Sequence, residues 1–408
     1  MNILKEIEDS FIKPPKDELL MRVSNFKKLL ESKNIDYALI FYNVNLFYFT
    51  NSIQRGCLLI TDDDAKPYYF VQKHIDRAKL ETYSDLIEVI EIKKISEVFS
   101  YLKELGLMDK KRVGLELGDI SASFFINLKK SLKDQEIVDI TYDILRLRSI
   151  KSEFELSQMR EASKMSDKIF SIVPSFLKEG MTELELAGCI QAESRKLGNQ
   201  EIIRMRGFNN ELTNPHVLSG ISGAIPSAGD VPLSGYGPSS AIAQGASLKK
   251  IKREEPIIVD YAGSQNGYIN DETRVFVIGK LPKELERAYW ISREIIEFVE
   301  THVKEGDNGK DVYKEILKIV EKYDLLDHFM GYKKGRVRFV AHGIGLVLNE
   351  FPIIADSRDE ELKENMVFSI EPKFVFPQKG AVGIEVDFIV KKDRLERLSS
   401  FPLDIVSV

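Results

Sequence analysis

The clearest indication of the fold lies in residues 257–274, which read IIVDYAGSQNGYINDETR. The pair Asn266-Gly267 stands between two apolar runs, and an Asn-Gly pair in that setting is the strongest short-range signal of a two-residue β-hairpin turn. A turn there places Asp271 diagonally across from Asp260 on one face of the hairpin, roughly 7–8 Å away at the backbone. That is a span that two cations can bridge.

A second pair of carboxylates lies nearer the C-terminus. Residues 366–372 (MVFSIEP) predict a strand that ends at a proline, and residues 381–390 (AVGIEVDFIV) predict a second apolar strand after a turn-like segment. Folding about that turn places Glu385 nearly opposite Glu371. Carboxylates within apolar strands are unusual because ionised side chains are seldom buried without a partner. We therefore expect the two pairs to serve one site.

A histidine completes the set in residues 339–346 (FVAHGIGL), where a strand ends and two glycines let the backbone approach a ligand closely. Four carboxylates and one imidazole suit two divalent cations (Mn, Co, Fe or Zn, with Mn or Co favoured) better than one structural zinc. Two such ions about 3.5–4 Å apart can acidify a shared water and direct it at a carbonyl or phosphoryl group, which indicates a hydrolase. The predicted metal ligands are Asp260, Asp271, His342, Glu371 and Glu385.

The first 148 residues alternate helical and strand patterns and predict a small α/β domain. An amphipathic helix is predicted at 18–31. The apolar run 37–50 is interrupted by two asparagines and is too short to span a bilayer. It is interpreted as strand material. This part of the sequence contains no phosphate loop and no dinucleotide-binding fingerprint.

Residues 149–408 predict a larger α+β domain of two similar halves. Helix, Lys-Glu-Gly, helix and strands follow one another twice, with the tripeptide at 178–180 and again at 304–306. The first copy supplies two of the predicted ligands and the second copy supplies three. The metals are therefore expected at the junction of the halves.

The composition is that of a soluble globular enzyme, with 408 residues, 43% hydrophobic residues and a formal net charge of -6. The negative charge argues against nucleic acid as the main partner. Two cysteines in so long a chain indicate a reducing compartment without disulfides. The N-terminus lacks the apolar segment that export needs, so we expect a cytoplasmic protein that does not bind membranes.

The motifs around the five ligands resemble those of the pita-bread-fold metallopeptidases, which include methionine aminopeptidase, Xaa-Pro aminopeptidase and prolidase. The first 148 residues resemble a creatinase-type N-terminal domain. The resemblance implies that Asp260 chelates one metal and that Asp271 and Glu385 bridge both. It implies that His342 and Glu371 complete the second metal and act as the catalytic residues, with Glu371 as the proton shuttle. It also implies a homodimer.

The sequence departs from the family pattern in its substrate pocket. Two positions at which the family carries histidine hold Ser227 and Asn349, and Gly383 stands where an arginine often precedes the last Ile-Glu. Asparagine can donate a hydrogen bond but cannot carry a positive charge. His216 is the nearest substitute in sequence, and Tyr236 lies in a loop rich in glycine and serine. The predicted substrate pocket therefore comprises His216, Ser227, Tyr236 and Asn349.

Three functions follow as hypotheses. The first is an Xaa-Pro aminopeptidase or dipeptidase that cleaves small peptides with a metal-bridging water. The second is a creatinase-like enzyme that cleaves a small non-peptide C–N substrate on the same fold, which the missing pocket histidines favour. The third is a non-catalytic binding module, which the complete set of five ligand positions disfavours.

Overall fold

The structure is a computed structural model that describes residues 12–226, 229 and 231–408. The chain forms two compact units, Met1–Arg148 and Ser149–Val408. Among the described residues, no helix combines the length and the apolar character that crossing a bilayer requires.

The first unit is built on a six-stranded mixed sheet. Its strands are β1 (Tyr37–Ile40), β2 (Gly56–Thr61), β3 (Tyr68–Val71), β4 (Glu88–Glu91), β5 (Arg112–Leu115) and β6 (Glu136–Asp139), in the order β4-β3-β2-β1-β5-β6. Its helices are α1 (Lys16–Ser32), α2 (Asn43–Thr50), α3 (Ile75–Glu81), α4 (Val98–Glu104), α5 (Ala122–Leu132) and α6 (Thr141–Ser149), the last of which ends one residue into the second unit. The prediction of an α/β arrangement for this unit is confirmed.

One element of the first unit differs from the sequence prediction. The sequence pattern predicts strand material at residues 43–50, but they form the helix α2, in which six of the eight side chains are buried. A helix that is buried around most of its circumference shows no periodic alternation of polar and apolar residues, so its period cannot be read from a short apolar run. The prediction was therefore wrong at this helix.

The first half of the second unit contains two capped helices and a sheet. The helices are α7 (Glu153–Phe176) and α8 (Glu183–Lys196), and both begin with a capping box, at Ser152 with Glu155 and at Thr182 with Glu185. The strands β7 (His216–Ser219), β8 (Ile257–Tyr261), β11 (Glu272–Val277) and β19 (Val406–Ser407) form a sheet in the order β19-β11-β8-β7. Between β8 and β11 the short strands β9 (Ser264–Gln265) and β10 (Tyr268–Ile269) form a tight hairpin.

The predicted turn lies where the sequence placed it. Gln265 pairs with Tyr268, so Asn266 and Gly267 are the two turn residues, and both have positive φ, at 47° and 83°. The same register continues to Thr273, which pairs with Asp260. The diagonal relation of Asp260 and Asp271 follows from this pairing.

The second half repeats the arrangement of two helices followed by strands. Its helices are α9 (Lys283–His302) and α10 (Gly309–Lys322). Its main sheet has the order β13-β12-β14-β17-β18, formed by β12 (Phe339–Ile344), β13 (Leu348–Ala355), β14 (Val367–Ile370), β17 (Val386–Val390) and β18 (Leu395–Arg397). The strands β15 (Lys373–Phe376) and β16 (Gly380–Gly383) form a separate hairpin. The predicted strand 381–390 is thus divided in two, at residues 384 and 385.

The two halves are joined by hydrogen bonds at the candidate site. Thr273, in the first half, and Glu385, in the second, exchange backbone hydrogen bonds of 3.3 and 3.2 Å. One buried apolar cluster packs the strands of the first half on α7 and α8, and a larger one brings strands of both halves together with α9 and α10. The prediction of an α+β domain with two similar halves is confirmed.

Candidate active site

The five predicted ligand residues lie where the strands of the two halves meet. Asp260 lies in β8, and Asp271 immediately precedes β11. His342 lies in β12, and Glu371 and Glu385 occupy the short gaps that interrupt the two long strand pairings. Because Ile370 pairs with Val386 and Lys373 pairs with Gly383, the continuous register sets Glu371 opposite Glu385. All five are buried except Asp260, whose side chain is 23% exposed and opens the site to solvent.

Three of these residues form a compact donor set. The His342 Nε2 atom lies 3.8 Å from Asp271 Oδ2 and 3.9 Å from Glu385 Oε1, and one donor atom from each of the three residues lies within 4.8 Å of the others. The Oε1 atom of Glu371 is also 3.9 Å from His342 Nε2. We call this group, Asp271, His342 and the Oε1 atoms of Glu371 and Glu385, the histidine side of the site.

A lysine that is not among the predicted site residues occupies the other side. The Lys373 Nζ atom lies 2.8 Å from Glu371 Oε2, 2.8 Å from Glu385 Oε2 and 3.1 Å from Asp260 Oδ2. Its side chain is 3% exposed. We call this group, Lys373, Asp260 and the Oε2 atoms of Glu371 and Glu385, the lysine side. Both glutamates therefore direct one oxygen to each side.

Neighbouring side chains hold Glu385 and Asp271 in place. Thr273 Oγ1 donates a hydrogen bond of 2.8 Å to Glu385 Oε2, and Ser369 Oγ donates one of 3.1 Å to Glu385 Oε1. The backbone amide of Asp271 donates to Asp387 Oδ2 at 2.9 Å. Hydrogen bonds of this kind orient ligand side chains before a metal arrives.

Burial changes the proton affinities of the site. It raises the pKa of Glu371 to about 8, against the opposing charge of the Lys373 ammonium. It also raises the pKa of Asp271 well above its ordinary value, and the charge of Glu385 adds to the effect. Burial lowers the pKa of His342, so that its ring is neutral and can offer a lone pair to a metal.

The lysine remains a cation despite its burial. Burial alone would lower the pKa of Lys373, but the charges of Asp260, Glu371 and Glu385 outweigh it and hold the pKa well above its ordinary value. Burial likewise opposes ionisation of Asp260, yet the lysine ammonium prevails and lowers the pKa of Asp260. The lysine side is thus a network of opposite charges.

The predicted substrate-pocket residues are distributed unevenly. His216 lies in β7 directly opposite Asp260, is buried, and its Nε2 atom has no hydrogen-bond partner among the described residues. Tyr236 is 53% exposed and lines a separate groove of about 400 Å³ with neighbours from its own loop. Ser227 lies outside the described residues.

The fourth pocket position, Asn349, is a half-buried residue of β13 with a φ of 64°. It falls between the pairs Gly343–Glu350 and Ile344–Leu348, so it is the unpaired residue of a bulge next to the strand that carries His342. Asparagine tolerates this left-handed backbone better than most residues. Position 349 therefore requires a left-handed backbone conformation and lies next to the strand that carries His342.

The sequence did contain a signal for Lys373. Side chains two residues apart in a strand point to the same face, so a lysine two residues after Glu371 was placed to reach the same site. The run that follows it, Phe374 to Phe376, is apolar and buried, which marks the lysine as unusual. The local sequence could not predict the contact of Lys373 with Asp260, because the two residues are 113 positions apart in the chain.

Two halves that each bring carboxylates to a shared junction, with one neutral imidazole among them, define the class of metal-dependent hydrolases built on a duplicated α+β domain. The chain belongs to metallopeptidase family M24, which its residues 157–392 match. Residues 22–150 match the creatinase/prolidase N-terminal domain. The expected family, its fold and its classification as a metallopeptidase are confirmed.

Individual relatives cover almost the whole chain. The Xaa-Pro dipeptidase of Pyrococcus furiosus is 26% identical over 379 residues, which are 93% of this chain and 97% of that protein. An uncharacterized peptidase of Methanocaldococcus jannaschii is 28% identical over 384 residues, covering 93% and 95%. Among solved structures, an Xaa-Pro dipeptidase from Bacillus anthracis matches with a TM-score of 0.81 at 22% identity, over 96% of this chain and 100% of that one. This chain and the Bacillus anthracis structure share the fold.

Proposed function

We propose that this chain hydrolyses a peptide bond that precedes proline, as an Xaa-Pro dipeptidase or aminopeptidase with a divalent metal ion at the histidine side. The observation that carries the proposal is the convergence of Asp271, His342 and Glu385 beside the Glu371 carboxyl group. The names of the relatives support the substrate class, because the full-length relative from Pyrococcus furiosus is an Xaa-Pro dipeptidase. The substrate is accordingly a small peptide.

The donor set of the histidine side fits a hard divalent cation. Asp271, His342 and Glu385 offer two carboxylate oxygens and a neutral imidazole nitrogen within 4.8 Å of one another, and Glu371 Oε1 lies 3.9 Å from His342 Nε2, a set that suits Mn, Co, Fe or Zn. When bound there, the metal supplies an acidified water and polarises the substrate carbonyl. We predict two ions, with Mn or Co favoured, because the sequence offers five ligand positions. The Lys373 ammonium at the lysine side affects how many ions can bind.

The protein side chains supply the proton transfers. Glu371 directs its Oε1 atom towards the histidine side, where it can accept a proton from the attacking water and pass it to the leaving nitrogen. Asp260, the most exposed member of the site, lies where a substrate amine can enter.

Peptide hydrolysis tests the proposal directly. Purified protein with added Mn²⁺ or Co²⁺ is offered matched dipeptides and tripeptides with proline or alanine in the second position. We expect turnover of the proline peptides, and we expect its loss in the Asp271→Ala and Glu385→Ala variants, because both residues belong to the donor set. A protein that binds metal but cleaves none of the peptides would contradict the proposed substrate.

A second candidate is hydrolysis of a small non-peptide C–N bond, as in a creatinase-like enzyme. The ammonium of Lys373 within the site and the asparagine at position 349 favour it, because both change the groups that a peptide would meet. Guanidine and amidine compounds, offered in the same assay, separate the candidates. Efficient cleavage of ordinary Xaa-Pro peptides would rule this one out.

The remaining predictions concern the state of the protein. We expect a cytoplasmic homodimer that works without nucleic acid or membrane. The mass measured by light scattering after size-exclusion chromatography checks the dimer, and a mass of 46.6 kDa, that of one chain, would contradict it. Fractionation of the source cells checks the location.

A further inference from the structure

The lysine side of the site holds an ammonium group that belongs to the protein. Lys373 contacts one oxygen each of Asp260, Glu371 and Glu385, at 3.1, 2.8 and 2.8 Å. Two of these three carboxylates, those of Glu371 and Glu385, also face the histidine side with their other oxygen. The ammonium therefore shares its carboxylates with the predicted metal ligands.

The position of the lysine is built into the β15–β16 hairpin. Lys373 pairs with Gly383, and its carbonyl oxygen accepts a hydrogen bond of 2.8 Å from the amide of Met330. A Cβ atom at position 383 would lie 2.7 Å from the Cγ atom of Lys373. The glycine thus leaves the space through which the lysine stem reaches the carboxylates, and a side chain there would collide with it.

The two sides consequently offer different conditions to a divalent ion. On the histidine side, the donor atoms are Asp271 Oδ2, His342 Nε2 and the Oε1 atoms of the two glutamates, none of which is among the oxygens that Lys373 contacts. On the lysine side, an ion would need the same oxygen atoms that the ammonium already contacts. Like charges that share oxygen atoms are only a few ångströms apart, and they repel strongly at a buried site.

We propose that the Lys373 ammonium competes with a divalent ion for the lysine side, so that the protein binds one ion tightly on the histidine side and a second ion only by displacing the ammonium. The inference rests on the metal dependence in the proposed function and deepens it. It predicts that, at limiting metal, the working form contains one divalent ion and the lysine cation. The lysine then supplies positive charge beside the carboxylates where a second ion would otherwise lie.

This inference is tested by titrating the metal-free full-length protein with Mn²⁺. Calorimetry and electron paramagnetic resonance monitor the titration. We expect the second ion to bind the wild type at least about tenfold more weakly than the first. The spectrum at one equivalent should be that of an isolated ion rather than a spin-coupled pair. In Lys373→Met, which keeps the stem but removes the charge, the second binding step should tighten by about tenfold or more.

Lys379→Met is the matched control. Lys379 lies in the turn of the same hairpin, is exposed, and forms an ion pair with Glu284 outside the site. Its replacement should leave both binding steps unchanged. His342→Ala should abolish the first, tight step, which assigns that step to the histidine side.

Three results would overturn the inference: a wild type whose two steps differ by less than about tenfold, a wild type that binds no ion, and a Lys373→Met variant whose second step is unchanged. If Lys373→Met does not fold, the wild-type titration and its spectrum decide alone. Metal binding is measured without substrate. Failure to cleave Xaa-Pro peptides would therefore contradict the proposed function and leave this inference intact.

Discussion

At the scale of single residues, the site depends on how each carboxylate divides its two oxygens. Glu371 and Glu385 each turn one oxygen to His342 and the other to Lys373. A carboxylate used in this way links the proposed metal position to the Lys373 ammonium. Replacing either oxygen by an amide nitrogen keeps the size of the side chain and removes its charge, which makes glutamine the most informative substitution.

The first prediction concerns proton transfer. Glu371→Gln should lower kcat by a factor of about 10²–10⁴, because the amide cannot accept and return a proton. The melting temperature should change much less than the rate. Glu364→Gln is the matched control, because Glu364 is exposed in the turn that precedes β14. This control variant should retain full activity, and an equal loss of activity in both variants would contradict the assignment.

The second prediction concerns the asparagine in the bulge of β13. Asn349→His introduces a group that can be protonated near neutral pH, so it should change the pH profile of kcat/KM if position 349 faces the substrate. Histidine also tolerates the positive φ of 64° at this position, so the fold should be retained. A pH–rate profile that coincides with that of the wild type would remove Asn349 from the pocket.

At the scale of elements, the site depends on strands that pass each other closely. The hairpin β15–β16 approaches the first half of the unit, where Gly380 lies near Gly220. The long loop that follows β7 is held by the buried Glu183 of α8, which accepts hydrogen bonds from Ser219 and Ser247. This fully buried carboxylate thus ties Ser219 and Ser247 to α8.

The third prediction tests the close approach within the hairpin. Gly383→Ala should destabilise the protein by about 1–3 kcal/mol, because the new methyl group would lie 2.7 Å from Lys373 Cγ and from the Pro372 carbonyl oxygen. Chemical denaturation measures the change. Gly188→Ala, within α8 and with no atom within 4 Å of the added carbon, should instead be neutral or stabilising. Equal effects of the two substitutions would contradict the argument.

At the scale of the whole molecule, buried carboxylates make stability depend on pH. Burial raises the pKa of Glu116, in the first unit, to about 7, although Asn45 and two backbone amides donate hydrogen bonds to it. Burial also raises the pKa of Glu272, in the second unit, to about 7, against the charge of Arg274. In each case the folded state holds its proton to higher pH than the unfolded state does.

The fourth prediction follows from the sign of this difference. Since the folded state binds more protons between about pH 4.5 and 7, the free energy of unfolding should fall as pH rises through that window, by at most about 3 kcal/mol for Glu116. Urea unfolding at several pH values measures it. Glu116→Gln should show a shallower fall than the wild type, and a slope equal to that of the wild type would contradict the assignment.

The sequence by itself determined the local geometry of this protein. An Asn-Gly turn and the two-residue period of strands set the relation of Asp260 to Asp271 and of Glu371 to Glu385, because these pairings depend only on neighbouring residues along two strands. The two helices of the first half, α7 and α8, were likewise readable from their capping residues.

Only the tertiary structure decided what those pairs enclose. The lysine that reaches Asp260 across 113 residues, the space that Gly383 leaves for it, and the helix at residues 43–50 all depend on packing between distant segments. Local pattern carries no information about such contacts, because burial on several sides removes the alternation of polar and apolar residues. The charge at the centre of the site is therefore a property of the folded chain.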